Sequence, residues 1–306
     1  MISNYLPHER AETHEWIASP PSFVSGAEIE GNEALPFRPN RTVEDRWRRG
    51  SLLSSLEAPS IEVADQAIDE YIAHRLPPIA LDAPIGTLAD FWLELARGNG
   101  LHRSSIWKGG GHRPKRALIE QCIETALEHD LIFELEQWPD AHAVTSPLIY
   151  FRDHGLLRRL LDAHDTVERD AIAKMIEANE RTRAERKLVE RRQRRDDLSW
   201  EGFIIDALRV LASGSAETFV WRRDPDEIDL VLKWCAGPLW GIEVTRGRGA
   251  KKPTDGFFEG CRQLGVVDRF VVAPVSVAHV HGGVACLDPV EALARTREEL
   301  TSLLGR

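Results

Sequence analysis

Two acidic residues in the C-terminal third of the chain have the type and spacing of a metal-dependent phosphodiester site. Asp229 lies in the run Glu-Ile-Asp-Leu-Val-Leu and Glu243 in Gly-Ile-Glu-Val-Thr. A hairpin near residues 236–238 would set the two β-rich runs side by side, and strand alternation then places both acids on one face. Two such carboxylates could hold Mg²⁺ beside a phosphodiester, and Glu201, early in the preceding helix, could add a third.

The residue two positions after Glu243 decides how much catalysis to expect. A metal-dependent nuclease of this type needs a lysine there, because a cation positions the attacking water and offsets the developing charge. This chain has Thr245, whose hydroxyl can hold a water but brings no positive charge, and Arg246 projects to the opposite face of a regular strand. We therefore predict an impaired catalytic centre. Spacing alone favours the alternative interpretation, in which the two acids lie on an ordinary solvated strand face. The predicted catalytic residues are Glu201, Asp229, Glu243 and Thr245, and the predicted metal ligands are Asp229 and Glu243.

The elements around these acids are predicted in the order α-β-β-β-α-β. Ser199 can cap a helix over 200–211, and the following segments are β-rich runs and a helix, at 218–222, 227–233, 239–245, 255–264 and 269–275. A short strand at 283–287 and a terminal helix opened by Pro289 complete the chain. This is the core order of the restriction-endonuclease-like fold. The sequence thus predicts a nuclease-like domain of the PD-(D/E)xK type over 199–306.

Upstream, residues 43–165 predict a helical, winged-helix-like domain. Helical periodicity over 88–97 and 115–129 is followed by two apolar strands that would form the wing, at 131–135 and 148–151. The predicted fold class is therefore mixed α/β. Residues 1–42 show no sustained period and are predicted to be a poorly ordered extension. The candidates for nucleic-acid binding by the recognition helix are His112, Arg113, Lys115 and Arg116.

A charged segment over 166–198 links the two predicted domains as one connector helix. Its last part, residues 181–195, has eight Lys and Arg against two Glu, a local net charge of +6. A solvated connector helix is the first interpretation, and a face that contacts phosphates is the second. The candidates on such a face are Arg191, Arg192, Arg194 and Arg195.

Composition excludes several classes of protein. The 306 residues carry a net charge of −10, which argues against a generally basic nucleic-acid coat but leaves a local basic patch open. No apolar run is long enough to span a membrane, no signal peptide is expected, and four dispersed cysteines fit reduced thiols in the cytoplasm. The phosphate-loop pattern is missing, so no ATP site is predicted. No cofactor is expected, except Mg²⁺ if the nuclease-like site is active.

Several motifs, taken in order, resemble those of domain of unknown function 4143. The segment over 146–157, SPLIYFRDHGLL, is similar to its S-P-K-x-Y-x-R-D-x-G-L-L signature, and 199–203 and 227–232 match S-W-E-G-F and E-I-D-L-V-L. Residues 242–245 resemble I-E-I-K without the lysine, and 47–50 its W-x-R-G entry segment. The resemblance covers roughly 43–290. It implies a winged-helix-like region and a nuclease-like domain that prokaryotic proteins normally attach to an AAA+ ATPase; we expect that ATPase module to be absent here.

Three functions are compatible with these patterns. The first is a non-catalytic or weakly catalytic module that binds nucleic acid, with DNA as the candidate partner, through the basic segments. The second is a metal-dependent DNA endonuclease that uses Asp229 and Glu243. The third is a structural or interaction protein, for example the partner of a separately encoded AAA+ ATPase, which the acidic charge of the remaining chain favours.

Overall fold

A computed structural model describes most of the chain, including all of the predicted strands that carry the acids. The described residues are 42–76, 85–106, 116–139, 146–175, 178–235, 237–246, 253–275 and 279–304. The predicted extension over 1–42 lies outside these ranges except for its last residue. Three of the predicted recognition-helix residues, His112, Arg113 and Lys115, also lie outside them.

Helices surround the sheet and form the N-terminal part of the chain. In chain order they are α1 Val43–Arg49, α2 Leu53–Glu57, α3 Ile61–His74, α4 Ile85–Arg97, α5 Arg116–Glu128, α6 His154–Ala173, α7 Ala178–Ala212, α8 Asp255–Leu264 and α9 Pro289–Leu304. Several begin at a side chain that accepts the hydrogen bond of a first-turn N–H group. Examples are Ser60 before α3, Asp153 before α6 and Thr254 before α8.

The described strands form one mixed sheet. They are β1 Leu101–His102, β2 Ile132–Gln137, β3 Leu148–Phe151, β4 Ala216–Arg223, β5 Asp226–Trp234, β6 Leu239–Val244, β7 Asp268–Val272, β8 His279–His281 and β9 Val284–Leu287. Their order in the nine-stranded sheet is β1-β3-β2-β4-β5-β6-β7-β9-β8. Strands β4, β5 and β6 pair antiparallel, whereas β6 pairs parallel with β7. The mixed α/β class is confirmed, and the α-β-β-β-α-β order is that of α7-β4-β5-β6-α8-β7.

The two strands predicted as a separate wing belong to this same sheet. Strand β2 pairs antiparallel with β3 on one side and parallel with β4 on the other. The ladder between β2 and β4 includes Glu136 opposite Phe219 and Gln137 opposite Val220. The N-terminal and C-terminal predicted domains therefore share a continuous run of strands.

The predicted single connector helix over 166–198 is wrong, because the chain forms a helical hairpin there. Helix α6 ends at Ala173, and α7 runs back along it, with Arg192 and Arg195 paired to Asp162 and Asp165 of α6. The predicted helix start at Ser199 is also wrong. Ser199 lies inside α7, since no glycine or proline interrupts residues 178–201, and its hydroxyl accepts a hydrogen bond from Trp47 instead.

Each face of the sheet buries its own core. Helix α7 covers one face with Trp200 and Leu208, and α9 adds Ala292 to the same core. Helix α8 covers the other face with Phe257 and Cys261. A further core joins helices α3 to α6 to strands β2 and β3. The acid-bearing strands β5 and β6 therefore lie between α7 and α8.

Candidate functional site

A β-bulge sets the position of Asp229 in the sheet. One residue of β4, Val220, lies opposite two residues of β5, Asp229 and Leu230. On either side of the bulge, Ile228 and Val231 both pack in the α8 core, whereas Leu230 packs in the α7 core. The strict alternation predicted for β5 is therefore wrong at this point, because the extra residue changes which face the following side chains occupy.

The predicted hairpin between β5 and β6 is confirmed, and it brings the two acids close together. Leu230 lies opposite Ile242, so the next pair in this register is Asp229 and Glu243. The Asp229 carboxylate is 6% exposed and accepts a hydrogen bond from the Val244 N–H at 2.8 Å. Glu243 accepts one from the N–H of Thr254, the residue that caps α8, at 3.1 Å. Each of these bonds uses one of the two carboxylate oxygens.

Glu201 of α7 is the third acid of this group, and it is held by the N-terminal part of the sheet. Its Oε1 accepts a hydrogen bond from the Tyr150 hydroxyl of β3 at 2.6 Å. Burial raises the pKa of Glu201 above its ordinary value, although the Tyr150 bond and Arg222 lower it. Burial also raises the pKa of Asp229 well above its ordinary value, and the charges of Glu201, Glu227 and Glu243 raise it further. We call Glu201, Asp229 and Glu243 the acidic cluster.

A half-buried arginine that the sequence analysis did not single out lies at this cluster. Arg222 of β4 places its Nη2 4.0 Å from Glu201 Oε1 and its Nε 3.1 Å from Glu227 Oε2. Its charge also lowers the pKa of Glu201. Position 222 lies five residues before the Glu-Ile-Asp run. A cation on the strand before the first acid is the signal that could have found it.

Thr245, which stands where a lysine was expected, continues the backbone ladder of β6. Its N–H donates to the Val272 carbonyl at 3.0 Å. The neighbouring Arg246 is directed elsewhere: its guanidinium lies 4.5 Å from the centre of the Trp47 ring and 3.2 Å from Asp196. Of these two arginines, Arg222 contacts the acidic cluster and Arg246 does not.

The part of α7 around Glu201 makes contacts with residues of the predicted N-terminal domain. The Ser199 hydroxyl accepts a hydrogen bond from Trp47 Nε1 at 3.1 Å and lies 3.3 Å from His154 Nδ1. Burial lowers the pKa of His154 to about 4, so this imidazole is neutral at physiological pH. A Cβ at Gly202 would stand 2.7 Å from the Tyr150 ring, so this position requires glycine. The motifs containing Trp47, Tyr150 and Glu201 thus meet at one place.

The predicted nucleic-acid contacts divide into two groups. Arg192 and Arg195 pair with carboxylates of α6, and Arg116 pairs with Glu120 one turn along α5. Arg191 donates to the Lys187 carbonyl at 3.4 Å and Arg194 is exposed on α7. Nucleic-acid binding by any of these residues stays a prediction.

The residues of the acidic cluster that could hold a divalent cation are Asp229 and Glu243. Within the described ranges, no three His, Cys, Asp or Glu side chains are grouped so that they could hold a metal ion. Mg²⁺ usually keeps several waters and is held by one or two carboxylates, which Asp229 and Glu243 can supply.

None of the described helices is long and apolar enough to cross a bilayer.

Comparisons with known proteins give similarity without a function. No protein-family model matches the chain. It is 26% identical over 208 residues to an uncharacterised protein of Mycobacterium tuberculosis and to one of Mycobacterium bovis, covering 65% of this chain and 42% of each relative. The chain thus spans less than half the length of these relatives. A solved assembly of Thermococcus gammatolerans McrB AAA+ hexamers with bound McrC contains a similar chain: 12% identity, 72% of this chain and 78% of that chain covered. Its TM-score of 0.22 supports no argument about function.

Proposed function

We propose that the chain is a nucleic-acid-binding module with a weakly active, metal-dependent phosphodiesterase site at the acidic cluster. The observation that carries this proposal is the pairing of β5 with β6, whose register sets buried Asp229 opposite half-buried Glu243, with Glu201 of α7 nearby. The pKa of Asp229 is raised by burial and then by Glu201 and Glu243. Strongly perturbed acids that share one site are typical of functional centres.

A divalent cation is the partner that such a cluster favours. Among the described residues, the three carboxylates of the cluster and Glu227 outnumber the one positive charge of Arg222, and partial burial strengthens the interactions between these charges. A proton on Asp229 relieves part of this repulsion, and a bound cation relieves more. Asp229 and Glu243 would hold the ion, which when bound supplies Lewis-acid stabilisation to a phosphodiester and its attacking water.

The protein's own residues would supply the rest of the site. Glu201, kept in place by the Tyr150 hydroxyl, is positioned to accept a proton or a hydrogen bond from water near the ion. Arg222 contributes the positive charge that Thr245 lacks, although its guanidinium is engaged by Glu201 and Glu227. Because that charge is partly neutralised before any substrate binds, we expect slow hydrolysis.

Plasmid cleavage by the full chain tests this proposal. Wild type should nick supercoiled DNA in Mg²⁺ or Mn²⁺ and lose the activity in EDTA, and Asp229→Asn and Glu243→Gln should both abolish it. Glu217→Gln is the matched control, because Glu217 is an exposed glutamate of β4 that pairs with Lys233. Cleavage that survives both cluster variants would assign it to a contaminant. No cleavage and no binding of DNA would favour the predicted role as a protein interaction module.

A further inference from the structure

The N-terminal half of α7 carries an exposed row of positive charges. Arg183, Lys187 and Arg194 are all exposed, and none makes an ion pair within the described part of the chain. They follow one another at spacings of four and seven residues, which on an α-helix places them on one face. We call these three residues the basic stripe. Arg186 and Arg191 are exposed beside it.

The opposite face of the same helix packs against α6. Leu188 is buried, and Arg192 and Arg195 reach Asp162 and Asp165 on α6. These residues follow each other at spacings of four and three, so they form the face that packs on the hairpin partner. The basic stripe therefore has no part in holding α6 and α7 together.

The face that carries the stripe also holds one exposed acid, Glu190, four residues before Arg194, so its charges are not all positive. Solvated helix faces are stabilised by opposite charges four residues apart, as in the Arg181 to Glu185 pair. Arg183 and Lys187 are like charges four residues apart, which disfavours the helix. An anionic ligand laid along the helix would remove that repulsion.

The stripe is aligned with the acidic cluster. Lys187, Arg194 and Glu201 are spaced by seven residues, so the face drifts by only about 20° from one to the next. Leu208, seven residues further on, is buried against the sheet. The same face of α7 therefore packs on the sheet in the second half of the helix and carries the basic stripe in the first half. Arg194 precedes Glu201 by about 10 Å along the helix axis.

We propose that the basic stripe binds the phosphate backbone of a nucleic acid and leads it to the acidic cluster. This inference rests on the proposed function for its direction, but the stripe can be tested without the metal site. A phosphate backbone is the anion that matches a row of arginine and lysine charges along a helix.

Salt-dependent binding of a labelled DNA duplex to the full chain, measured in EDTA, tests the stripe alone. The variant Arg183→Gln/Lys187→Gln/Arg194→Gln should bind at least about tenfold more weakly in dilute salt. Its slope of log affinity against log salt should be smaller by about three, since each phosphate contact contributes about one. The matched control, Lys233→Gln/Arg262→Gln/Arg297→Gln, removes three exposed cations elsewhere and should keep the wild-type slope.

Three outcomes would overturn the proposal that the basic stripe binds a phosphate backbone. They are wild type that binds no duplex in dilute salt, a stripe variant with an unchanged slope, and a control variant that loses as much as the stripe variant. Because EDTA removes divalent cations, none of these outcomes depends on the metal site. Loss or retention of plasmid cleavage on Asp229→Asn reports on the metal site separately.

Discussion

The hydrogen bond between Tyr150 and Glu201 joins the N-terminal strands to the acidic cluster, and its strength can be measured. Tyr150→Phe deletes only the hydroxyl, while the ring keeps its stacking on Phe133, with centroids 5.4 Å apart. The bond is 2.6 Å long, and its acceptor is a buried carboxylate. Hydrogen bonds to charged groups contribute about 1.5–3 kcal/mol, so we expect the variant to lose about 2 kcal/mol of unfolding free energy at pH 8.

A double-mutant cycle separates this bond from other effects of the substitution. In a Glu201→Gln background the hydroxyl meets a neutral amide, so Tyr150→Phe should cost only about 1 kcal/mol, a coupling of about 1 kcal/mol. Urea unfolding followed by tryptophan fluorescence gives these free energies. Tyr71→Phe, in the separate helical core, should show no coupling to Glu201→Gln. If Tyr150→Phe lowers the unfolding free energy equally in both backgrounds, the Tyr150 hydroxyl does not donate a hydrogen bond to a charged Glu201 carboxylate.

Three further perturbations follow from the same structure. Asp229→Asn keeps an oxygen for the Val244 N–H. The folded pKa of Asp229 lies above its ordinary 3.8, so wild-type stability falls as pH rises through that folded value. Asp229→Asn should therefore have a higher unfolding free energy than wild type at pH 8 but not near pH 4, as measured by urea titration. Thr245→Lys should raise Mg²⁺-dependent plasmid cleavage by at least about tenfold. Gly260→Ala should lower the unfolding free energy by about 1–3 kcal/mol, seen as a lower urea midpoint, since its Cβ would stand 2.6 Å from the Trp221 ring.

The sequence predicted the local elements around the site well, because their signals are local. The apolar run over 227–233 corresponds to β5 at Asp226–Trp234, and the glycine and proline at 237 and 238 mark the turn before β6. These features depend on alternation and turn residues within a few positions. The proximity of Asp229 and Glu243 followed directly from them.

Features that depend on distant parts of the chain did not follow from the sequence. The bulge at Asp229 arises from pairing with β4, and the run Glu-Ile-Asp-Leu gives no local sign of it. Tyr150 and Glu201 are 51 residues apart, so their hydrogen bond depends on β2 and β3 joining the C-terminal sheet. The end of α6 at Ala173 was missed because the charged segment that follows continues the helical pattern without a glycine or proline.

Calorimetric titration of the intact chain with Mn²⁺ tests most directly whether Asp229 and Glu243 together hold a divalent cation. We expect one site per chain in wild type and in the Glu217→Gln control. Binding should be lost in Asp229→Asn and in Glu243→Gln, with each variant shown to be folded by circular dichroism. Equal Mn²⁺ binding by all four proteins, or none by folded wild type, would contradict the proposed metal site.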